Sequence, residues 1–130
     1  MLHRIQERVG YVPAEAVPPL AKALNLSRAE VQGVISFYHD FRSQPAGRHV
    51  VKLCQAEACQ SMGSESLTKH ALARTAAPLK GTSPDGQFTV EPVYCLGNCA
   101  CSPAVMIDGA LHGRVTPERF DELIADLPKL

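Results

Sequence analysis

Five cysteines are the residues of this 130-residue chain whose type and spacing promise chemistry. Four of them form two close pairs. Cys54 and Cys59 enclose four residues, Cys95 and Cys99 enclose three, and 35 residues separate the pairs. Thiolate is a soft donor that stabilises both oxidation states of iron, and four cysteines complete the ligand set of a [2Fe–2S] cluster. A closed zinc site takes the same donors at similar spacings and is the alternative that spacing leaves open. Gly97 lies inside the second pair, where the missing β-carbon permits positive φ and lets backbone amides approach a sulfur. Such amides favour the reduced, more negative state of a cluster. Cys101 reads as a small buried hydrophobe, and the sharper reading is a spare ligand. No C-x-x-C occurs, and Cys99-Ala100-Cys101 lacks the helix N-terminus geometry that activates such a dithiol, so thiol–disulfide exchange is not expected.

The elements that must position these thiols are legible around them. His49-Val50-Val51-Lys52-Leu53 reads as a strand running directly into Cys54, and Phe88 to Tyr94 as a second strand ending on Cys95. Both cysteine pairs therefore fall in loops at strand ends. Ser64 to about Ala73 reads as a helix with Leu67, Ala71 and Leu72 on its apolar stripe, and Gly81 to Gly86 as a loop. Ala104 to Ile107 continues as a strand into a hairpin turn at Asp108-Gly109. Thr116-Pro117 opens a last helix, with Thr as cap and Phe120, Leu123, Ile124 and Leu127 as its buried stripe. This is an α/β order.

Ahead of the first strand the text is helical. Leu2 to Arg8 ends at Gly10, and Val17, Leu20 and Leu24 recur at helical spacing with Pro18 and Pro19 in the first turn. Ser27-Arg28-Ala29-Glu30 is a capping box that starts a helix running to about Tyr38, with Val31, Val34, Ile35 and Tyr38 at helical spacing. Phe37, Tyr38 and Phe41 read as core rather than as partner anchors. His39 and His49 read as solvated or satisfied side chains. Ser43 to Gly47 breaks the helical run, so we expect a helical N-terminal region over residues 1–43 and an α/β domain over 44–130.

Composition removes several functions. Lys plus Arg and Asp plus Glu each total 13, and neither sign forms a block, which withdraws the electrostatic footprint of a nucleic-acid binder. Aromatics are 5% and Trp is absent, so base-stacking platforms are not expected either. Apolar runs are far shorter than the roughly 20 residues of a membrane span, and the first turns carry His3, Arg4 and Glu7, so neither a span nor a secretory signal is expected. A cytoplasmic protein whose cysteines bind metal is the expectation, because cytosolic thiols stay reduced. No G-x-G-x-x-G or phosphate-cradling loop is present, so hydride chemistry belongs elsewhere.

Taken together, Gly10-Tyr11-Val12-Pro13, the Ser27 to Tyr38 helix, Phe37-Tyr38 with Phe41, the Cys54/Cys59 pair and Cys95-Leu96-Gly97-Asn98-Cys99 resemble the landmarks of the thioredoxin-like [2Fe–2S] ferredoxin family. That family includes subunits of complex I, of NAD-reducing hydrogenases and of NAD-dependent formate dehydrogenases. The resemblance implies a helical N-terminal region followed by a thioredoxin-like domain with a mixed sheet flanked by helices. It also implies one [2Fe–2S] cluster held by Cys54, Cys59, Cys95 and Cys99. The stretches Cys54 to Gly63 and Cys99 to Met106 look most like the members found in soluble, molybdenum-containing, NAD-dependent formate dehydrogenases. Such a place implies an electron-transfer role without bond making, next to a flavin- and NAD-binding subunit and a molybdenum-containing formate-oxidising subunit. FMN, NAD and the molybdenum cofactor would sit in those partners. The chain begins inside what resembles a longer first helix, which implies that a full partner-docking N-terminus is missing or differently arranged. The face carrying both cysteine loops is the expected interface.

Overall fold

A computed structural model describes residues 1–127; residues 128–130, the end of the expected second domain, lie outside the described residues. The chain divides into two compact units, one of Met1–Ala46 and one from Gly47 onward.

In the first unit, helix α1 (Leu2–Val9) stops at Gly10, whose φ of 94° is the left-handed cap that only a residue without a β-carbon adopts freely. Pro18 and Pro19 occupy the first turn of α2 (Val17–Leu24), where a missing N–H forfeits no helical bond. Helix α3 (Arg28–Phe37) opens on the expected capping box: the Glu30 N–H donates to Ser27 Oγ, and the Ser27 N–H donates to the Glu30 carboxylate at 2.8 Å. Val12, Val17, Leu20, Ala21, Val31 and Ile35 form the unit's core, with Leu2, Ile5 and Phe41 packed against it. The Gln6 side chain ties α1 to the end of the unit, donating to the Asp40 carbonyl at 2.6 Å and accepting from the Arg42 N–H at 2.7 Å.

Two aromatics depart from the sequence expectation. Phe37 is 74% exposed and Tyr38 55% exposed, so neither is core. Phe37 stands two residues beyond the buried Ile35, about 200° round the helix and hence on the opposite face. Tyr38 leaves helical geometry altogether, with ψ at 110°, so helical phase no longer directs it. Val34 and Leu24 are exposed as well, although each shares helical phase with a buried residue, and the buried edge narrows to Val31 and Ile35 on α3.

The second unit is built on a five-stranded mixed sheet in the order β2-β3-β1-β4-β5. Strand β1 (His49–Cys54) is central, parallel to β3 (Phe88–Val93) on one side and antiparallel to β4 (Val105–Ile107) on the other. A short β2 (Gly81–Thr82) pairs with β3, and β5 (Ala110–His112) pairs with β4 through the Asp108-Gly109 turn. Both turn residues have positive φ, 50° and 85°, as a two-residue hairpin of this hand requires. Parallel pairing of β1 and β3 needs a long crossover, which runs through α4 (Glu57–Ser61), α5 (Ser64–Thr75) and β2.

Alternation along β1 and β4 sends Val51, Leu53, Val105 and Ile107 into one core, where they meet Leu67 and Ala71 of α5 and Phe120 and Leu123 of α6 (Pro117–Ala125). Phe120 is fully buried, and Thr116 caps its helix by accepting from the Arg119 N–H. His49 is buried and satisfied: its Nδ1 lies 2.6 Å from the Asp108 carboxylate, which also accepts from the Val50 N–H. The short helix α4 and strand β2 were not foreseen. Elements of five and two residues carry too little periodicity to register against their neighbours.

Candidate metal centre

Parallel pairing places β1 and β3 so that their ends coincide, Cys54 opposite Val93. The Gln55 N–H donates to the Val93 carbonyl at 2.7 Å, which holds the start of the first cysteine loop against the end of the second strand. Residues 55–56 then turn into α4, which carries Cys59 back beneath the strand end. Cys54 and Cys59 are both buried, 3% and 2% exposed, and pack with Ala104. The Ala104 carbonyl accepts from the Cys54 N–H at 3.3 Å.

The outer pair has the opposite character. Cys95 and Cys99 are exposed, with their sulfurs 3.5 Å apart. Cys95 carries a φ of 87°, uncommon for a residue with a β-carbon and a mark of local strain at a site of use. Gly97 has a φ of 77°, and its N–H donates to Cys95 Sγ at 3.3 Å, the approach that its sequence position suggested. A 3-10 turn, Cys99–Cys101, then leads through Ser102 and a cis Pro103 into β4.

Electrostatics tie the two pairs into one neighbourhood. The Cys99 thiol is raised above the ordinary value, first by its hydrogen bond with Cys95 and by the Cys95 charge, then by desolvation and the charges of Cys59 and Cys54. For Cys59, burial opposes ionisation, yet hydrogen bonding with the Ser102 side chain, the Ala104 backbone and the Cys54 thiol outweighs it and brings the thiol below the ordinary value. These are the four cysteines singled out by spacing. Cys101 is half-buried and borders the segment after β5: a β-carbon on Gly113 would sit 2.7 Å from its Cβ, and its carbonyl accepts from the Arg114 N–H at 2.6 Å.

Two thiolates on one tetrahedral metal lie about 3.7 Å apart when metal–sulfur bonds are about 2.3 Å. The 3.5 Å separation of Cys95 and Cys99 matches that spacing. Among the described residues, no group of three or more His, Cys, Asp or Glu side chains is gathered closely enough to hold one ion. Donors arrayed as two pairs fit a binuclear cluster, two thiolates to each iron. Sequence reasoning missed Ser102 and Ala104. Neither carries a ligand-type signal, and both reach Cys59 only because β4 pairs with β1.

A mixed sheet with cysteine loops at its strand ends, backed by helices, defines a thioredoxin-like iron–sulfur protein. The chain matches the thioredoxin-like [2Fe-2S] ferredoxin family over residues 1–128 and belongs to it. Its cofactor is accordingly one [2Fe–2S] cluster. A component of the NADH-quinone oxidoreductase of Pseudomonas aeruginosa is 38% identical over 120 residues, 92% of this chain and 72% of that protein. The NADP-reducing hydrogenase subunit HndA of Solidesulfovibrio fructosivorans is 30% identical over 126 residues, 97% of this chain and 74% of that protein. Among solved structures, a chain of an NAD+-reducing [NiFe]-hydrogenase in the H2-reduced state superposes with a TM-score of 0.81 at 26% identity. That match covers 98% of this chain and 22% of the hydrogenase chain. A thioredoxin-like [2Fe-2S] ferredoxin from Aquifex aeolicus shares the fold, with a TM-score of 0.51 at 23% identity over 62% of this chain and 84% of its own. Among the described residues, no helix is long and apolar enough to cross a membrane.

Proposed function

We propose that Cys54, Cys59, Cys95 and Cys99 hold the cluster and that the chain relays single electrons as a subunit of a cytoplasmic, molybdenum-containing, NAD-dependent formate dehydrogenase. The observation that carries the ligand assignment is the pairing itself: two buried and two exposed thiols, on loops set side by side by β1 and β3, the exposed pair at the spacing of thiolates on one metal. When bound, the cluster supplies one-electron storage. Around it the chain's residues do the rest. Gly97 donates its N–H to the Cys95 sulfur and offsets the negative charge there. Cys54 and Cys59 anchor the inner edge in the core, while the exposed Cys95 and Cys99 leave the outer edge open to a partner. A flavin- and NAD-binding subunit on that face would exchange single electrons with the site, and a molybdenum-containing subunit would oxidise formate.

What supports the formate reading is the sequence of the two stretches Cys54 to Gly63 and Cys99 to Met106. A second reading has its own support: the relatives in Pseudomonas aeruginosa and Solidesulfovibrio fructosivorans favour the equivalent subunit of an NADH-quinone oxidoreductase or of an NAD(P)-reducing hydrogenase. The deciding experiment is iron, sulfide and zinc content of the anaerobically purified complex, with low-temperature EPR after dithionite and assay of NAD reduction by formate and by H2. About two irons per chain with a rhombic S = 1/2 signal and formate-dependent NAD reduction are expected. Zinc without iron sinks the cluster assignment, and H2- or quinone-coupled activity without formate activity moves the second reading to first.

A further inference from the structure

Ser102 is a buried polar residue, 7% exposed, that the ligand set does not use. It stands between the 3-10 turn of the outer cysteines and the start of β4. Its hydroxyl lies 3.5 Å from Cys59 Sγ and donates to the Cys99 carbonyl at 2.8 Å. One oxygen thus touches a member of each cysteine pair, across 43 residues of sequence from the inner one. With Cys59 as a thiol, its own S–H can donate to that oxygen. With Cys59 as a metal-bound thiolate that proton is gone, and the sulfur becomes an anionic acceptor facing the hydroxyl. A hydrogen bond to an ionised acceptor is roughly twice as strong as one to a neutral carbonyl. Rotation about the Cβ–Oγ bond is all that is needed to turn the proton from the Cys99 carbonyl to the sulfur.

We propose that Ser102 is a positioning residue for electron transfer: its hydroxyl donates to the Cys59 sulfur in the cluster-bound protein and raises the reduction potential of the cluster. The inference rests on the ligand assignment above. One-electron reduction adds negative charge that spreads onto the sulfurs, so a donor to sulfur stabilises the reduced form more than the oxidised one. The proton stays on Ser102 Oγ throughout, and only an electron moves. The Gly97 N–H at Cys95 Sγ is fixed by the backbone, whereas the Ser102 hydroxyl is a contribution that one side chain adds or withholds.

The test is an EPR-monitored redox titration of the purified full-length chain, wild type against Ser102→Ala and Ser102→Thr, with iron counted in each. Ser102→Ala is expected to retain about two irons per chain, as [2Fe–2S] assembly requires, and to titrate at a more negative midpoint. Ser102→Thr is expected to return the midpoint toward wild type, which a packing role alone would not produce. An alanine variant with full iron and an unchanged midpoint overturns the proposal and leaves the ligand assignment standing. Should the alanine variant hold no cluster, the isosteric pair Ser102→Thr and Ser102→Val decides: valine more negative than threonine supports the hydroxyl, and equal midpoints overturn it. Absence of iron from the wild-type chain is the separate failure of the ligand assignment.

Discussion

At the scale of single residues, the five cysteines differ in what surrounds them more than in what they are. Cys54 and Cys59 are buried, Cys95 and Cys99 are exposed, and the charges acting on Cys99 are those of Cys95, Cys59 and Cys54. Cys101 is two residues from Cys99 in sequence, yet its side chain packs toward Gly113. Replacing Cys101 with Ser is therefore expected to leave about two irons per chain and the EPR signal intact, while Cys99→Ser is expected to alter or abolish both. Iron analysis and EPR of the two variants check this, and a cluster that survives Cys99→Ser but not Cys101→Ser would reassign the fourth ligand. The four proposed ligands were legible because pair spacing is a property of sequence. Ser102 and Ala104 were not, because their chemistry toward Cys59 comes from β4 lying antiparallel to β1, a contact no local pattern records.

Elements translate those residues into a site. Strand β1 running into Cys54, strand β3, which stops at Val93 short of the expected Tyr94, the capped helices α3 and α6 and the Asp108-Gly109 hairpin followed from caps, turns and alternation, which act within a few residues. The aromatics at the end of α3 did not, because helical spacing says which residues share a face but not where the helix ends, and Tyr38 lies just past that end. The outer cysteine loop is held by the segment after β5, where the Arg114 N–H donates to Cys101 and Gly113 lies flat against the Cys99–Cys101 turn. A β-carbon on Gly113 would stand 2.7 Å from Cys101 Cβ and 2.8 Å from Asn98 Nδ2, closer than packed atoms tolerate. Relief would have to come from the loop that carries Cys99. Overpacking of this kind costs about 1–3 kcal/mol. Gly113→Ala is expected to keep the fold by circular dichroism but to lose its cluster to a chelator faster than wild type, read as the rate of visible bleaching. Equal rates would mean that the loop is not held in place by this contact.

For the whole molecule, two compact units carry two separate cores. Val12, Val17, Leu20, Ala21, Val31 and Ile35 serve the first, and the sheet residues with α5 and α6 serve the second. All five cysteines, Ala104 and Ser102 belong to the unit that begins at Gly47. The contacts that shape the site, from the Gln55–Val93 hydrogen bond to the Gly113 packing, lie within that unit as well. A domain with its own core can fold alone in principle. We therefore propose the helical region as a separable module: a chain starting at Gly47 is expected to bind about two irons and give the EPR signal of the full-length protein. The exposed Phe37 and Tyr38 stay with the part removed, and large aromatics are enriched among residues that anchor partners. The same truncated chain is accordingly expected to lose co-purification with the subunits that accompany the full-length protein. Iron content and pull-down on one preparation read the two outcomes independently. A folded truncation without iron would make the first unit part of the cluster site, and a truncation that still assembles would relieve Phe37 and Tyr38 of any docking role.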